Sequence, residues 1–170
     1  MVDKNLVLLG MMAVGKTTLG KIVAKKQELK FIDIDTNIET KNSMTIKEIF
    51  KKKGEKFFRK EEEKEVLKSL KKSNCIIALG GGAFMNKTVR ENILENAISI
   101  WLNVDVKTLN QRVKWNKKRP LLKEENSQKK LIELYAERKD VYKLANHKIA
   151  CDDLSKENIA EKIIALYEKY

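Results

Sequence analysis

Short, wholly apolar runs alternate along the chain with stretches whose apolar residues recur at helical spacing. Residues 6–9 read Leu-Val-Leu-Leu, a buried strand. Leu19, Ile22 and Val23 then share one helical face. Phe31-Ile32-Asp33-Ile34-Asp35 reads as a second strand that ends in acids. Thr45 and Glu48 have the spacing of a capping box ahead of Ile49 and Phe50, and a helix is predicted over about residues 55–72. Residues 75–79 form a third strand, closed by three consecutive glycines, and residues 98–102 a fourth. The helical pattern at 109–113 runs into a polar stretch, 114–127, that breaks around Pro120. A helix over about 128–144, a short fifth strand at 148–150 and a last helix complete the series. Ser155 caps that helix, and Ile159, Ile163, Leu166 and Tyr167 form its apolar face.

Apolar strands separated by helices imply a parallel sheet covered on both faces. The expected fold is therefore a three-layer α/β/α domain around a five-stranded parallel sheet. Such sheets bind ligands outside the carboxyl ends of their strands. Gly10, Asp33, Asp35 and Gly80–Gly82 all fall there.

Composition narrows the class. The 170 residues suit one domain, 1–170, and 42% apolar content is enough for a core. No apolar run approaches the ~18–20 residues of a membrane span, and no signal peptide precedes the first strand. A soluble cytoplasmic protein with no membrane partner is expected. Cys75 and Cys151 make no disulfide framework, and His147, the only histidine, has no nucleophile motif beside it. The net charge is +12, but most of the 36 cations are lysines scattered among glutamates. Glu61/Lys64 and Glu65/Lys68 can pair at i,i+3, which reads as solvated helix faces and not as a nucleic-acid surface. Only Arg59, Arg90, Arg112, Arg119 and Arg138 are arginines. In so lysine-rich a chain, an arginine can mark a need for a planar, bidentate donor. Arg90 is expected on an ordinary helix surface.

Residues 10–17, Gly-Met-Met-Ala-Val-Gly-Lys-Thr, fit the phosphate-loop pattern G-x-x-x-x-G-K-[ST]. The required context, a buried strand before and an amphipathic helix after, is present. Backbone N–H groups of such a loop face a phosphate at the N-terminus of the following helix. Gly10, Ala13, Val14, Gly15, Lys16, Thr17 and Thr18 are the candidate nucleotide-binding residues. Lys16 would reach the β and γ phosphates, and the Thr17 hydroxyl would ligate Mg²⁺. Asp33 is the better candidate for the rest of the magnesium shell, because the third strand ends in Gly80 and not in an acid.

The acceptor side is less direct. Asp33 and Asp35, two apart on a strand, should share a face. A kinase acting on an alcohol needs a carboxylate near the hydroxyl. Arg59 and Glu62 lie at i,i+3, so Glu62 can hold the guanidinium in place as a carboxylate receptor. Gly80, Gly81 and Gly82 let backbone approach a ligand closely and offer N–H donors.

Taken together, these segments resemble the shikimate kinases, of the nucleoside-monophosphate-kinase-like P-loop family. The matching pieces are residues 10–17, Phe31-x-Asp33-x-Asp35-x-x-Ile38-Glu39, Ile49-Phe50-x-x-x-Gly54-Glu55-x-x-Phe58-Arg59-x-x-Glu62, Leu79-Gly80-Gly81-Gly82-Ala83, Arg119-Pro120-Leu121-Leu122 and Arg138-x-x-x-Tyr142. They occur in family order over nearly the whole chain. The resemblance implies a P-loop kinase with a mobile lid over about 114–127 and an acceptor-binding region over about 33–62. It implies transfer from the cosubstrate ATP, with Mg²⁺, to the 3-hydroxyl of shikimate, giving shikimate 3-phosphate and ADP in aromatic amino acid (chorismate) biosynthesis. It implies Asp35 as base or orienting group, Arg59 and Arg138 as a carboxylate clamp, and Gly81 N–H on a ring hydroxyl. It places Gly80 and Gly82 beside the substrate, Thr17 and Asp33 on Mg²⁺, and Arg119 over the phosphates. A monomer is the expected state. Ala13 stands where the family often has glycine, and costs energy if the position needs positive φ. Arg112, Lys114 and Trp115 are adenine-contact candidates near the lid. Two rival readings remain: a gluconate or nucleotide kinase on this scaffold, and a basic nucleic-acid-binding protein with a vestigial nucleotide site.

Overall fold

The computed structural model describes residues 4–114 and 127–170. Five strands, β1 (Asn5–Leu9), β2 (Lys30–Asp33), β3 (Cys75–Ala78), β4 (Ala97–Asn103) and β5 (His147–Ala150), form one parallel sheet in the order β2-β3-β1-β4-β5. Among the described residues seven helices surround it: α1 (Lys16–Lys26), α2 (Ile34–Asn42), α3 (Ile46–Leu70), α4 (Lys87–Asn96), α5 (Val106–Lys114), α6 (Ser127–Tyr142) and α7 (Lys156–Tyr167). All of β1 and β3 is buried, so helices cover the sheet on both faces. Helices α1 and α7 pack together, as do α3 and α4. The expected α/β architecture and its five parallel strands are present.

Burial supplies the main stabilisation. Leu8, Ile76, Ile77 and Ile100 are fully buried, each contributing about 1.5–3 kcal/mol relative to exposure. Buried Asn5 fastens the start of the central strand. Its amide nitrogen donates to the carbonyls of Leu70 (3.2 Å) and Lys72 (2.6 Å), and its oxygen accepts from Cys75 N (3.0 Å).

The caps read from the sequence form. The Thr45/Glu48 capping box is complete, and the Ser155 side chain accepts from Asn158 N. Other expectations need correction. The second strand stops at Asp33, because Asp33 caps α2 and its carboxylate accepts from Thr36 N at 3.2 Å. Asp35 therefore lies in the first turn of a helix, not across a strand pleat from Asp33. The helix expected from about residue 55 does form: α3 is two helical stretches, one started by the Thr45 cap and one following Gly54, whose φ of 81° and ψ of 165° break the helix between them. Glu61, Glu62 and Glu65 are buried, so this acidic run is only partly a solvated face. Glu61 does pair with Lys64 at 3.3 Å, but Glu65 accepts from Asn37 of α2 at 2.9 Å. Pro120 and nearly all of the expected lid lie outside the described residues.

Candidate functional site

The phosphate loop leaves β1 at Gly10, where φ is 141° and a Cβ would stand 2.5 Å from the Leu102 carbonyl oxygen of β4. Only glycine fits that approach. At the other end Gly15, with φ of 98°, caps α1. Lys16 opens the helix and is buried. Its ammonium donates to the carbonyls of Gly10 and Met11, both at 2.8 Å, which folds the side chain back over the loop. Ala13 does take a left-handed conformation, φ 64°, so alanine carries the steric cost foreseen there. Its carbonyl accepts from the exposed Arg112 guanidinium at 3.4 Å, which ties α5 to the loop. Val14 is buried against the core.

One hydrogen bond joins the loop to the end of β2: the Thr17 hydroxyl donates to Asp33 at 2.6 Å. The other Asp33 oxygen caps α2, so the carboxylate is fixed from both sides. A hydroxyl and a carboxylate in contact are an all-oxygen donor pair, suited to a hard cation such as Mg²⁺ that keeps most of its waters. No cluster of three or more His, Cys, Asp or Glu side chains with metal-ligating spacing occurs among the described residues.

Four charged side chains converge on the three glycines after β3. A Cβ on Gly80 would lie 2.6 Å from Glu62 Oε1 and 2.8 Å from Asp35 Oδ1. One on Gly81 would lie 3.2 Å from Arg138 Nη1 and 3.6 Å from Met12 N of the phosphate loop. On Gly82 it would meet the Arg59 guanidinium at 2.6–2.9 Å. The glycines thus leave room for charged side chains from three helices: Asp35 of α2 and Glu62 of α3 at Gly80, Arg138 of α6 at Gly81, and Arg59 of α3 at Gly82. The glycine run also abuts the phosphate loop, so Arg138 and the loop backbone meet across one residue.

The electrostatics keep this cluster ordered. Arg59 donates to Glu62 at 2.7 Å and reaches Glu55 at 3.4 Å. Its guanidinium also lies over the Phe58 ring, 5.2 Å from the centroid. Burial pushes the Glu62 carboxyl above its usual range, and Asp35 adds to this, while Arg59 and Arg138 oppose it. The Arg59 pKa is raised despite the cost of burial, because Glu62 and then Glu55 hold the charge. Arg138 is itself buried. Two planar cations, backed by a buried carboxylate and set against the glycine backbone, can grip a carboxylate in a fixed orientation. Asp35 sits beside them as a carboxylate in reach of the same backbone.

The structure therefore brings together Asp35, Arg59, Arg138 and Gly80–Gly82, and separately Lys16, Thr17 and Asp33. Arg119 and Trp115, and the side chain of Lys114, lie outside the described residues. Arg90 is not an ordinary surface residue: it donates to the carbonyls of Phe84 (3.0 Å) and Met85 (3.1 Å), bracing the 3-10 turn Ala83–Met85 that follows the glycines. Two supports escaped the sequence reading. Lys41 of α2 pairs with Glu61 of α3 at 2.7 Å, which locks the helix of Asp35 to that of Arg59. The Tyr142 hydroxyl donates to the Gly81 carbonyl. The Arg138-x-x-x-Tyr142 spacing was a signal for the second; nothing local marks the first.

Comparison with known proteins accords with this geometry. A family model described as shikimate kinase matches residues 12–168. A shikimate kinase of Bacillus subtilis is 42% identical over 164 residues, covering 95% of this chain and 88% of that protein. The structure of an Acinetobacter baumannii shikimate kinase in complex with shikimate superposes with a TM-score of 0.93 at 33% identity, covering 98% of this chain and 94% of that one. A gluconokinase from Sinorhizobium meliloti shares the fold alone, at 12% identity and a TM-score of 0.63.

Proposed function

The chain belongs to the shikimate kinase family, and from that premise we propose how its residues carry ATP-dependent phosphorylation of the shikimate 3-hydroxyl. The observation that carries the reading is the meeting at Gly81. A Cβ added there would stand 3.2 Å from Arg138 Nη1 and 3.6 Å from Met12 N of the phosphate loop. A carboxylate gripped by Arg138 and Arg59 would hold the rest of its molecule between the glycine run and the loop. That brings an acceptor hydroxyl to a donor phosphate, which is the main requirement of this chemistry.

Lys16 would leave the Gly10 and Met11 carbonyls for the β and γ phosphates. Loop N–H groups from Ala13 to Thr18 would hold the rest of the triphosphate at the α1 N-terminus. Thr17 and Asp33 would hold Mg²⁺, which would neutralise phosphate charge as the bond to the leaving oxygen weakens. Asp35 would orient the 3-hydroxyl and take its proton as the oxygen–phosphorus bond forms and ADP departs. Gly80, Gly81 and Gly82 would line the ring, with Gly81 N–H on a hydroxyl. Arg119, within a lid over about 114–127, would close over the phosphates and exclude water.

In this reading residues 1–170 act as one kinase domain, with the acceptor region over about 33–62. Every proposed site residue comes from one chain, so a monomer suffices. Cys75 and Cys151 are free and buried, which suits the reducing cytoplasm. No helix among the described residues is long and apolar enough to cross a membrane.

The experiment is a coupled ADP-release assay with Mg-ATP and shikimate, gluconate, AMP or no acceptor. Release that requires shikimate is the expected result. Release with gluconate or AMP alone would keep the phosphate loop and overturn the acceptor. No release with any acceptor, with steeply salt-dependent nucleic-acid binding instead, would favour the vestigial-site reading.

A further inference from the structure

We propose that Tyr142 is a positioning residue of the acceptor site: its hydroxyl fixes the Gly81 carbonyl, and so sets the glycine backbone against which Arg138 and Arg59 rest. The inference rests on the acceptor reading given above. It begins from where the three glycine carbonyls go. Gly80 O accepts from Ala83 N at 3.2 Å, and Gly82 O from Met85 N at 3.1 Å, both within the following turn. The Gly81 carbonyl points elsewhere and is met by the Tyr142 hydroxyl. Three glycines in a row have no side chains to choose a backbone conformation, so an external hydrogen bond has unusual leverage there.

Tyr142 stands one turn after Arg138 on α6, on the same helix face. Its ring is buried, with its centroid 5.8 Å from that of Trp101. Its hydroxyl also lies 3.9 Å from Met11 Sδ of the phosphate loop. The phenol thus touches the donor loop and the acceptor loop, on the helix that carries half of the carboxylate clamp. Phenylalanine would supply the same packing, so the hydroxyl is what the local geometry uses. The carbonyl it holds belongs to the peptide that leads into Gly82, whose missing Cβ leaves space for Arg59. Rotating that peptide would disturb the rest of both guanidiniums at once. Burial, eased by the neighbouring Arg138, pushes the phenol pKa up to about 12, so it stays a donor throughout the working pH range.

The test compares Tyr142→Phe with wild type. We expect KM for shikimate to rise about three- to tenfold, KM for ATP to stay within about twofold, and the pH profile of kcat/KM to keep its shape. A shikimate KM within about twofold of wild type would overturn the proposal. So would an equal rise in both KM values with a lowered Tm, which marks a merely structural hydroxyl. If Tyr142→Phe does not fold, 4-aminophenylalanine and 4-methylphenylalanine at this position separate donor from volume. A low shikimate KM for the amine alone supports the role, and equal values overturn it. Wild type that fails to turn over shikimate would remove the acceptor reading and this inference together. Turnover by wild type beside an unchanged variant would remove the inference alone.

Discussion

Thr17 and Asp33 are joined by a 2.6 Å hydrogen bond that bridges the start of α1 and the end of β2. The same carboxylate caps α2, so its position is fixed by the protein from both sides. Asp33→Asn keeps the cap oxygen but removes the charge. The Mg²⁺ concentration for half-maximal velocity should rise about 10–100-fold. A magnesium titration at fixed ATP checks this, and an unchanged midpoint would take Asp33 out of the metal shell.

Arg59 and Gly82 make a second, steric pair. A Cβ on Gly82 would stand 2.6 Å from Arg59 Nη1 and 2.9 Å from Cζ. Gly82→Ala should therefore displace the guanidinium and mimic Arg59→Lys, which loses the planar fork. Both should raise KM for shikimate roughly 10–100-fold, the worth of a charge-assisted contact, and leave KM for ATP nearly unchanged. Steady-state kinetics with each substrate varied in turn decides the point.

Asp35 is asked to orient a hydroxyl and take its proton. Asp35→Asn should lower kcat by about 10²-fold or more while ATP binding, followed by titration calorimetry, stays intact. Near-wild-type turnover would exclude a proton-accepting role.

Ala13 holds a φ of 64°. Left-handed backbone costs alanine about 1–2 kcal/mol, part of which glycine gives back through its freer unfolded chain. Ala13→Gly should stabilise the protein by up to about 1 kcal/mol, seen as a higher urea midpoint at constant m-value.

Glu61 titrates below its ordinary 4.5, held first by the hydrogen bond from Lys41 and then by Lys64, against burial. Its folded pKa is below its unfolded one, so its contribution is present above pH 4.5 and is lost as pH falls through the folded value. Glu61→Gln should be less stable than wild type at neutral pH, with the gap closing on acidification. Urea unfolding on either side of that window measures it, and a gap that persists in acid would assign Glu61 a packing role.

The residues that were legible in the sequence are those whose role is local. Residues 10–17 announce a phosphate loop because the chemistry is written in one turn of backbone. Arg59 and Glu62 are legible because i,i+3 spacing makes them neighbours on any helix. Asp35 was read onto a strand and lies instead in the first turn of α2. Alternating Phe31, Asp33 and Asp35 looks like a strand, but the Asp33 carboxylate accepts from the backbone N–H of Thr36 and starts a helix. Lys41 and Glu61 belong to different helices, and their contact is set by how α2 and α3 pack. The apparent solvated face of residues 61–65 failed similarly, since charge pattern alone does not say which side of a helix another helix covers.

Gly10 and the run at 80–82 would answer to different evolutionary pressures. The obstacle at Gly10 is the Leu102 carbonyl, main chain of the neighbouring strand, and no compensating side-chain change can remove it. The obstacles at Gly80 and Gly82 are side chains of the acceptor cluster, Glu62, Asp35 and Arg59. A descendant freed from turnover but still required to fold would drift first at 80 and 82, together with the charged residues they accommodate. It would keep glycine at 10 long after the loop had stopped binding nucleotide.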